Sequence, residues 1–193
     1  TDGYGLNPHL IEQAGEDGIE LLITCDNGIA AAQEVRQAKE LGMTVIVTDH
    51  HNVPYEEKEG ARIPILPPAD AVINPKQEAC TYPFTELCGA AVAYKLISAL
   101  YETCGVPEEE LEELLVLAAI ATVGDVMDLQ GENRVLVKEG LKRLPHTSNP
   151  GLQALLQANH LDGAVTAYHI GFVLGPCINA SGRLDTAARS LNL

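Results

Sequence analysis

Acids and histidines cluster at the points where apolar runs stop. Thr44-Val45-Ile46-Val47-Thr48 runs directly into Asp49, His50 and His51, and Ile19 to Cys25 runs into Asp26-Asn27-Gly28. A third apolar stretch, Leu114 to Ala121, is followed by Gly124-Asp125. Carboxylate oxygens and neutral imidazole nitrogens together suit a divalent cation. For residues 44–51 alone, a strand that merely ends in polar residues reads the same way, so that segment leaves both readings open.

The elements that would position these groups follow from periodicity. The runs 19–25 and 44–48 have the length and β-branched character of strands buried on both faces, as in a parallel sheet. Between them, Ile29 to Leu41 places apolar residues at helical spacing and closes on Gly42, a C-terminal cap. Strand, helix and strand make a βαβ unit with a right-handed crossover. Both strand ends then fall on one edge of the sheet, where ligands gather in open α/β folds. Asp26 and Asp49 become neighbours.

Ahead of this unit, Asn7-Pro8 marks the cap and first residue of a short helix reaching about Ala14. Residues 52–69, rich in Pro, Glu and Gly, read as a long loop. Ala71-Val72-Ile73-Asn74-Pro75 reads as a short strand near the sheet edge, because of its Pro. Helices are expected over 87–103, 108–123, 132–144, 149–158 and 165–174. The second of these is apolar all round in its later half and should be buried. The expected architecture is α/β: a doubly wound, mostly parallel sheet flanked by helices (about residues 1–84), followed by a mainly helical portion (about 85–193).

Asp125 would stand at the C-terminal end of that buried helix, facing the negative pole of the helix dipole. Burying its carboxylate unpaired costs more still. A bound cation would remove both penalties; capping of the next helix is the alternative. Residues 175–185, Gly-Pro-Cys-Ile-Asn-Ala-Ser-Gly-Arg-Leu-Asp, read as a compact polar loop before a last short helix from Thr186. Asn179 and Arg183 there could hold a phosphate at a helix N-terminus, or simply cap the helix.

Composition narrows the function classes. With 12 basic and 27 acidic residues the formal charge is −15, which disfavours long-range capture of a polyanion. It leaves room for phosphate chemistry in which metal ions supply the positive charge. Five cysteines, an odd number without a CxxC pair, argue against a zinc ribbon or a disulfide framework. They fit a reducing, cytoplasmic setting. No run reaches the roughly 18 apolar residues of a membrane span. The chain opens on Thr1 and reads as a piece of something longer.

Four blocks now stand in a recognisable order: Thr24-Cys25-Asp26-Asn27-Gly28-Ile29, Val47-Thr48-Asp49-His50-His51, Thr122-Val123-Gly124-Asp125-Val126-Met127-Asp128-Leu129, and the stretch Gly175 to Leu184. In this order they resemble the DHH phosphoesterases. The last block, with Gly3-Tyr4-Gly5-Leu6, resembles the RecJ-like branch of single-strand-specific 5′ exonucleases. The resemblance covers essentially the whole chain. It implies that residues 1–193 form a DHH phosphoesterase domain hydrolysing single-stranded DNA to 5′-mononucleotides in repair or recombination. The implied cofactor is a pair of Mn²⁺ or Mg²⁺ ions.

Carried over residue by residue, the resemblance makes Asp26 the bridge between two ions and has His50 and Asp125 complete one of them. Asp49 would orient a ligand from behind, and His51 would face the scissile phosphate. Arg183, with Asn179 nearby, would contact the phosphate backbone. Expected partners are single-stranded DNA, a single-strand-binding protein and a helicase. Three departures stand out: the family's first Asp-x-Asp block and its C-terminal domain are absent, and Cys177 stands where RecJ-like sequences usually carry Arg. With half of the dinuclear site missing, the piece alone is expected to be inactive. Relatives in the superfamily act on short oligoribonucleotides, cyclic dinucleotides or pyrophosphate, and a non-catalytic scaffold is a reading of another class. The intact Asp26, His50, His51 and Asp125 speak against the scaffold.

Overall fold

The computed structural model describes residues 5–184, with side chains through residue 180. Two compact units make up the chain, Thr1–Ala93 and Tyr94–Leu193.

The first unit is built around a three-stranded parallel sheet. Helix α1 (Pro8–Glu16) starts where Asn7 caps it, its side chain accepting a hydrogen bond from the Leu10 N–H at 2.9 Å. Strand β1 (Leu21–Ile23), helix α2 (Ala32–Glu40) and strand β2 (Thr44–Thr48) form the βαβ unit, and β5 (Ala71–Ile73) pairs with the far side of β2. The order is β1-β2-β5, which places β2 at the centre. Its Val45 and Val47 are fully buried against Val35 and Ala38 of α2, together with Ile11 of α1 and Met43. At about 25 cal/mol per Å² of apolar surface, each such side chain contributes roughly 1.5–3 kcal/mol of burial.

Two expectations for this unit are corrected. Strand β1 is not buried on both faces: Leu22 packs against the core, whereas Leu21 and Ile23, on the opposite face of the strand, are half exposed. Residues 52–69 are not a loop throughout. Strands β3 (Tyr55–Lys58) and β4 (Ala61–Pro64) form an antiparallel hairpin. Glu59 and Gly60 turn it with φ of 53° and 81°, the two positive values that a tight primed turn requires.

Helix α3 (Gly89–Cys104) carries the chain from the first unit into the second, whose regular elements are all helices among the described residues. There α4 (Glu112–Gly124) packs against α5 (Gly131–Arg143), and α6 (Pro150–Ala158) follows. The core gathers Val116, Leu144, Leu152, Ile170 and Leu174. Helix α4 is not buried all round, since Leu117 is 45% exposed.

Residues 175–184 are helix rather than loop. A short helical turn, α7 (Ala167–His169), passes through a π-helical segment (Ile170–Leu174) into α8 (Gly175–Leu184). Pro176 lacks an N–H and would collide with the carbonyl four residues back in a regular α-helix. The wider π turn precedes it directly, with the Gly175 N–H reaching the Ile170 carbonyl. A Cβ on Gly175 would lie 2.9 Å from that carbonyl oxygen, so the turn needs glycine there. The expected last helix from Thr186 lies outside the described residues.

Candidate metal centre

The turn after β1 is set by a threonine pair. Thr48 Oγ1 donates to the Thr24 carbonyl at 2.6 Å, the Thr48 N–H donates to Thr24 Oγ1 at 3.2 Å, and Thr24 Oγ1 donates to the Asn27 carbonyl at 2.7 Å. The Asp26 N–H donates to the Thr48 carbonyl at 3.1 Å. Held in this way, Asp26 takes a left-handed backbone conformation, φ 64°, which Asp tolerates better than most residues. Its side chain is 55% exposed at the carboxyl edge of the sheet.

Asp49 is the opposite case. It is 1% exposed and saturated with donors: the N–H groups of Ile29 at 2.9 Å, His50 at 2.8 Å and His51 at 3.2 Å, and Nδ1 of His51 at 2.7 Å. Burial pushes its carboxyl pKa up, but these hydrogen bonds outweigh it and hold the group below the usual carboxylate range. An ionised Asp49 accepts from His51 Nδ1 and so fixes the orientation of the ring. Asp49 thus ties the loop after β1 to the loop after β2 and orients an imidazole.

His50 pairs with Asp26 instead. Its side chain is 8% exposed, and its Nε2 lies 3.1 Å from Asp26 Oδ1. The two imidazole rings sit 4.5 Å apart at their centroids. One ligand atom from each of Asp26, His50 and His51 falls within 4.8 Å of the others. One carboxylate oxygen and two imidazole nitrogens at that spacing fit a divalent transition ion such as Mn²⁺. A cavity of about 310 Å³ opens beside them, walled by Asn27, Gly28, Ile29, Glu34, Asp49 and His51.

The other residues singled out from the sequence lie in the second unit. Asp125 is the C-cap of α4 rather than the cap of α5, whose N-cap is Gln130. Asn179 lies on α8 and lines a cavity of about 390 Å³ with Gly124, Gly171, Gly175 and Pro176, so the residue preceding Asp125 and Asn179 share a wall. Cys177 is exposed on the same helix. Arg183 falls in α8, and its side chain lies outside the described residues.

Two residues that support the site escaped the sequence reading. Asn74, 2% exposed at the end of β5, donates from Nδ2 to the His51 carbonyl at 2.9 Å and accepts the Lys76 N–H at 2.8 Å. Its signal was its place, a polar residue closing the third strand as Asp26 and Asp49 close the other two. Gly89, the first residue of α3, lies directly against Asp26. Nothing in a Gly-Ala-Ala helix start indicates that.

With this geometry established, comparison with known proteins places the chain. The family model described as the DHH family, N-terminal domain, matches residues 4–122. The chain belongs to the DHH family. Other members resemble it closely. It is 42% identical over 193 residues to the single-stranded-DNA-specific exonuclease RecJ of Bacillus subtilis, covering 100% of this chain and 23% of that protein. With the RecJ of Dickeya dadantii it shares 40% identity over 203 residues, covering 100% of this chain and 34% of that protein. This DHH chain therefore spans about a third or less of the curated relatives it matches. Among solved structures, an exonuclease RecJ bound to manganese superimposes with a TM-score of 0.80 at 37% identity, covering 98% of this chain and 45% of that one. The RecJ of Thermus thermophilus in complex with Mn²⁺ gives 0.77 at 34% identity, covering 97% of this chain and 26% of that one.

Proposed function

We propose that this DHH chain belongs to a RecJ-like exonuclease that hydrolyses single-stranded DNA from the 5′ end to 5′-mononucleotides, using Mn²⁺ or Mg²⁺. The observation that carries the reading is the convergence of Asp26, His50 and His51 within 4.8 Å at the carboxyl edge of the sheet. Similarity to RecJ along the full chain supports the substrate class.

In this reading Asp26 and His50 hold metal, with Asp125 as a further ligand, and Asp49 keeps the His51 ring turned so that its Nε2 meets the scissile phosphate. Asn179 and Arg183 bind the phosphate backbone. When bound, the ions lower the pKa of water and stabilise the oxygens of an in-line displacement. The acidic surface then repels DNA except where those ions sit. Because the substrate is a single strand, the proposed partners are a helicase that exposes it and a protein that coats it. A cytoplasmic setting is supported by the cysteines, none of them in a disulfide among the described residues. No helix among those residues is long and apolar enough to cross a membrane.

The test gives the full-length protein Mn²⁺ and 5′-labelled single-stranded DNA, with duplex DNA, short RNA and pyrophosphate in parallel. Labelled mononucleotide from the single strand alone is the expected result. Turnover of only short RNA or pyrophosphate would move the protein to another branch of the family. No turnover and no Mn²⁺ binding would leave a scaffold.

A further inference from the structure

We propose that Gly89 is a positioning residue for the metal centre: the space where its side chain would be is the space the Asp26 carboxylate occupies. A Cβ built on Gly89 would lie 2.3 Å from Asp26 Oδ1 and 2.5 Å from both Asp26 Cβ and Cγ. Real Cβ contacts essentially never fall below 3.0 Å. Rotating the carboxylate away cannot relieve the overlap, because Asp26 Cβ, which is fixed by the backbone, is itself too close. Either the helix or the turn must move.

Both are pinned, and unequally. The start of α3 is buried: Leu87, Cys88, Ala91 and Val92 are each 3% exposed or less. The turn is held by the Thr24–Thr48 hydrogen bonds and by the Ile29 N–H on Asp49. Cys25 and Asp26 within it are exposed, whereas the start of α3 is buried, so the turn yields first. Its movement separates Asp26 Oδ1 from His50 Nε2, now 3.1 Å apart, and pulls on the Asp49 carboxylate that orients His51. Seating the carboxylate against the first turn of a 16-residue helix also places its negative charge at the positive end of the helix dipole. That fixes where the oxygen points, and a ligand must be fixed to within a fraction of an ångström to serve.

The inference rests on the metal-centre reading above, and the experiment separates the two. Mn²⁺ affinity is measured by calorimetry on the full-length protein, with the melting temperature recorded with and without Mn²⁺. The variants are Gly89→Ala, Asp26→Ala and Gly163→Ala, the last at a glycine whose Cβ would meet nothing within 4 Å. Gly89→Ala is expected to weaken Mn²⁺ binding about 10–100-fold, the usual cost of losing support behind a ligand. The metal-free melting temperature should stay near that of the wild type, while the rise on adding Mn²⁺ shrinks. Gly163→Ala should bind as the wild type does. Equal affinity in Gly89→Ala and wild type overturns the inference. Equal affinity in Asp26→Ala and wild type overturns the metal-centre reading instead. A Gly89→Ala protein that melts far below the wild type before any metal is added would also overturn the inference, since the glycine would then serve the fold.

Discussion

Gly89 and Gly140 sit in helices of different units, and neither has room for a methyl group. A Cβ at Gly140 of α5 would lie 2.3 Å from the Ala119 Cβ of α4 and 3.1 Å from the Leu115 carbonyl oxygen. At Gly89 the 2.3 Å neighbour is a carboxylate oxygen instead. Around Gly140 the colliding groups belong to two packed helices, and Ala119 is 1% exposed. Neither helix can yield without opening the core. Beside Gly89 the colliding residue is exposed and sits on a turn. The same missing atom therefore protects stability in one unit and the geometry of a ligand in the other. Intolerance of a side chain does not by itself say what a glycine is for; the identity and freedom of its neighbour do.

That contrast can be broken on the core side first. Gly140→Val forces three carbons between α4 and α5 and should cost about 3 kcal/mol, at the upper end of overpacking effects. A thermal melt should show a drop of several degrees; an unchanged transition would mean that the helices separate freely and that the contrast is false. Asn74→Ala tests the site side. It removes the hydrogen bonds to the His51 carbonyl and from the Lys76 N–H, worth about 1 kcal/mol each and so about 2 kcal/mol in total. It should also slow hydrolysis of single-stranded DNA by the full-length protein, because the His51 backbone loses its anchor. Loss of stability with an unchanged rate would reduce Asn74 to a scaffold residue.

The smallest effect concerns Glu113, which ties α4 to the residues before α6. Burial raises its pKa, but it accepts hydrogen bonds from Thr147 Oγ1 at 2.5 Å, the Ser148 N–H at 2.6 Å and Ser148 Oγ at 3.0 Å, and these hold it below the usual range. A carboxyl with a lowered folded pKa stabilises fully above its unfolded value, about 4.3, and loses that contribution as the pH falls below it. Glu113→Gln should cost about 1 kcal/mol at neutral pH. It should also flatten the loss of stability between about pH 5 and 3, as measured by urea denaturation. Identical acid profiles for variant and wild type would remove Glu113 from the account.

The parts of the site that lie along one strand were legible. Apolar residues running into Asp49, His50 and His51 had to form a strand ending in polar groups, and the βαβ spacing brought Asp26 beside them. What the sequence concealed depends on pairing or on close contact. The hairpin at Tyr55–Pro64 was hidden because charged strands around a Glu-Gly turn have the composition of a loop. Helix α8 was hidden because Gly175-Pro176 ordinarily ends a helix, and only the π turn lets this one continue. The exposure of one face of β1 depends on what packs against it, which its own residues do not encode. Gly89 was invisible for the same reason: its meaning lies in Asp26, 63 positions earlier in the chain.

The claim on which the rest depends is that His50, beside Asp26 at the carboxyl edge of the sheet, holds a metal ion. Pulsed electron paramagnetic resonance of Mn²⁺ bound to the full-length protein reads it directly, through the coupling of the electron spin to ligand nitrogen. The wild type should show imidazole nitrogen coupling that weakens or disappears in His50→Ala. Bound Mn²⁺ with no nitrogen coupling, or with coupling unchanged in His50→Ala, would contradict the account.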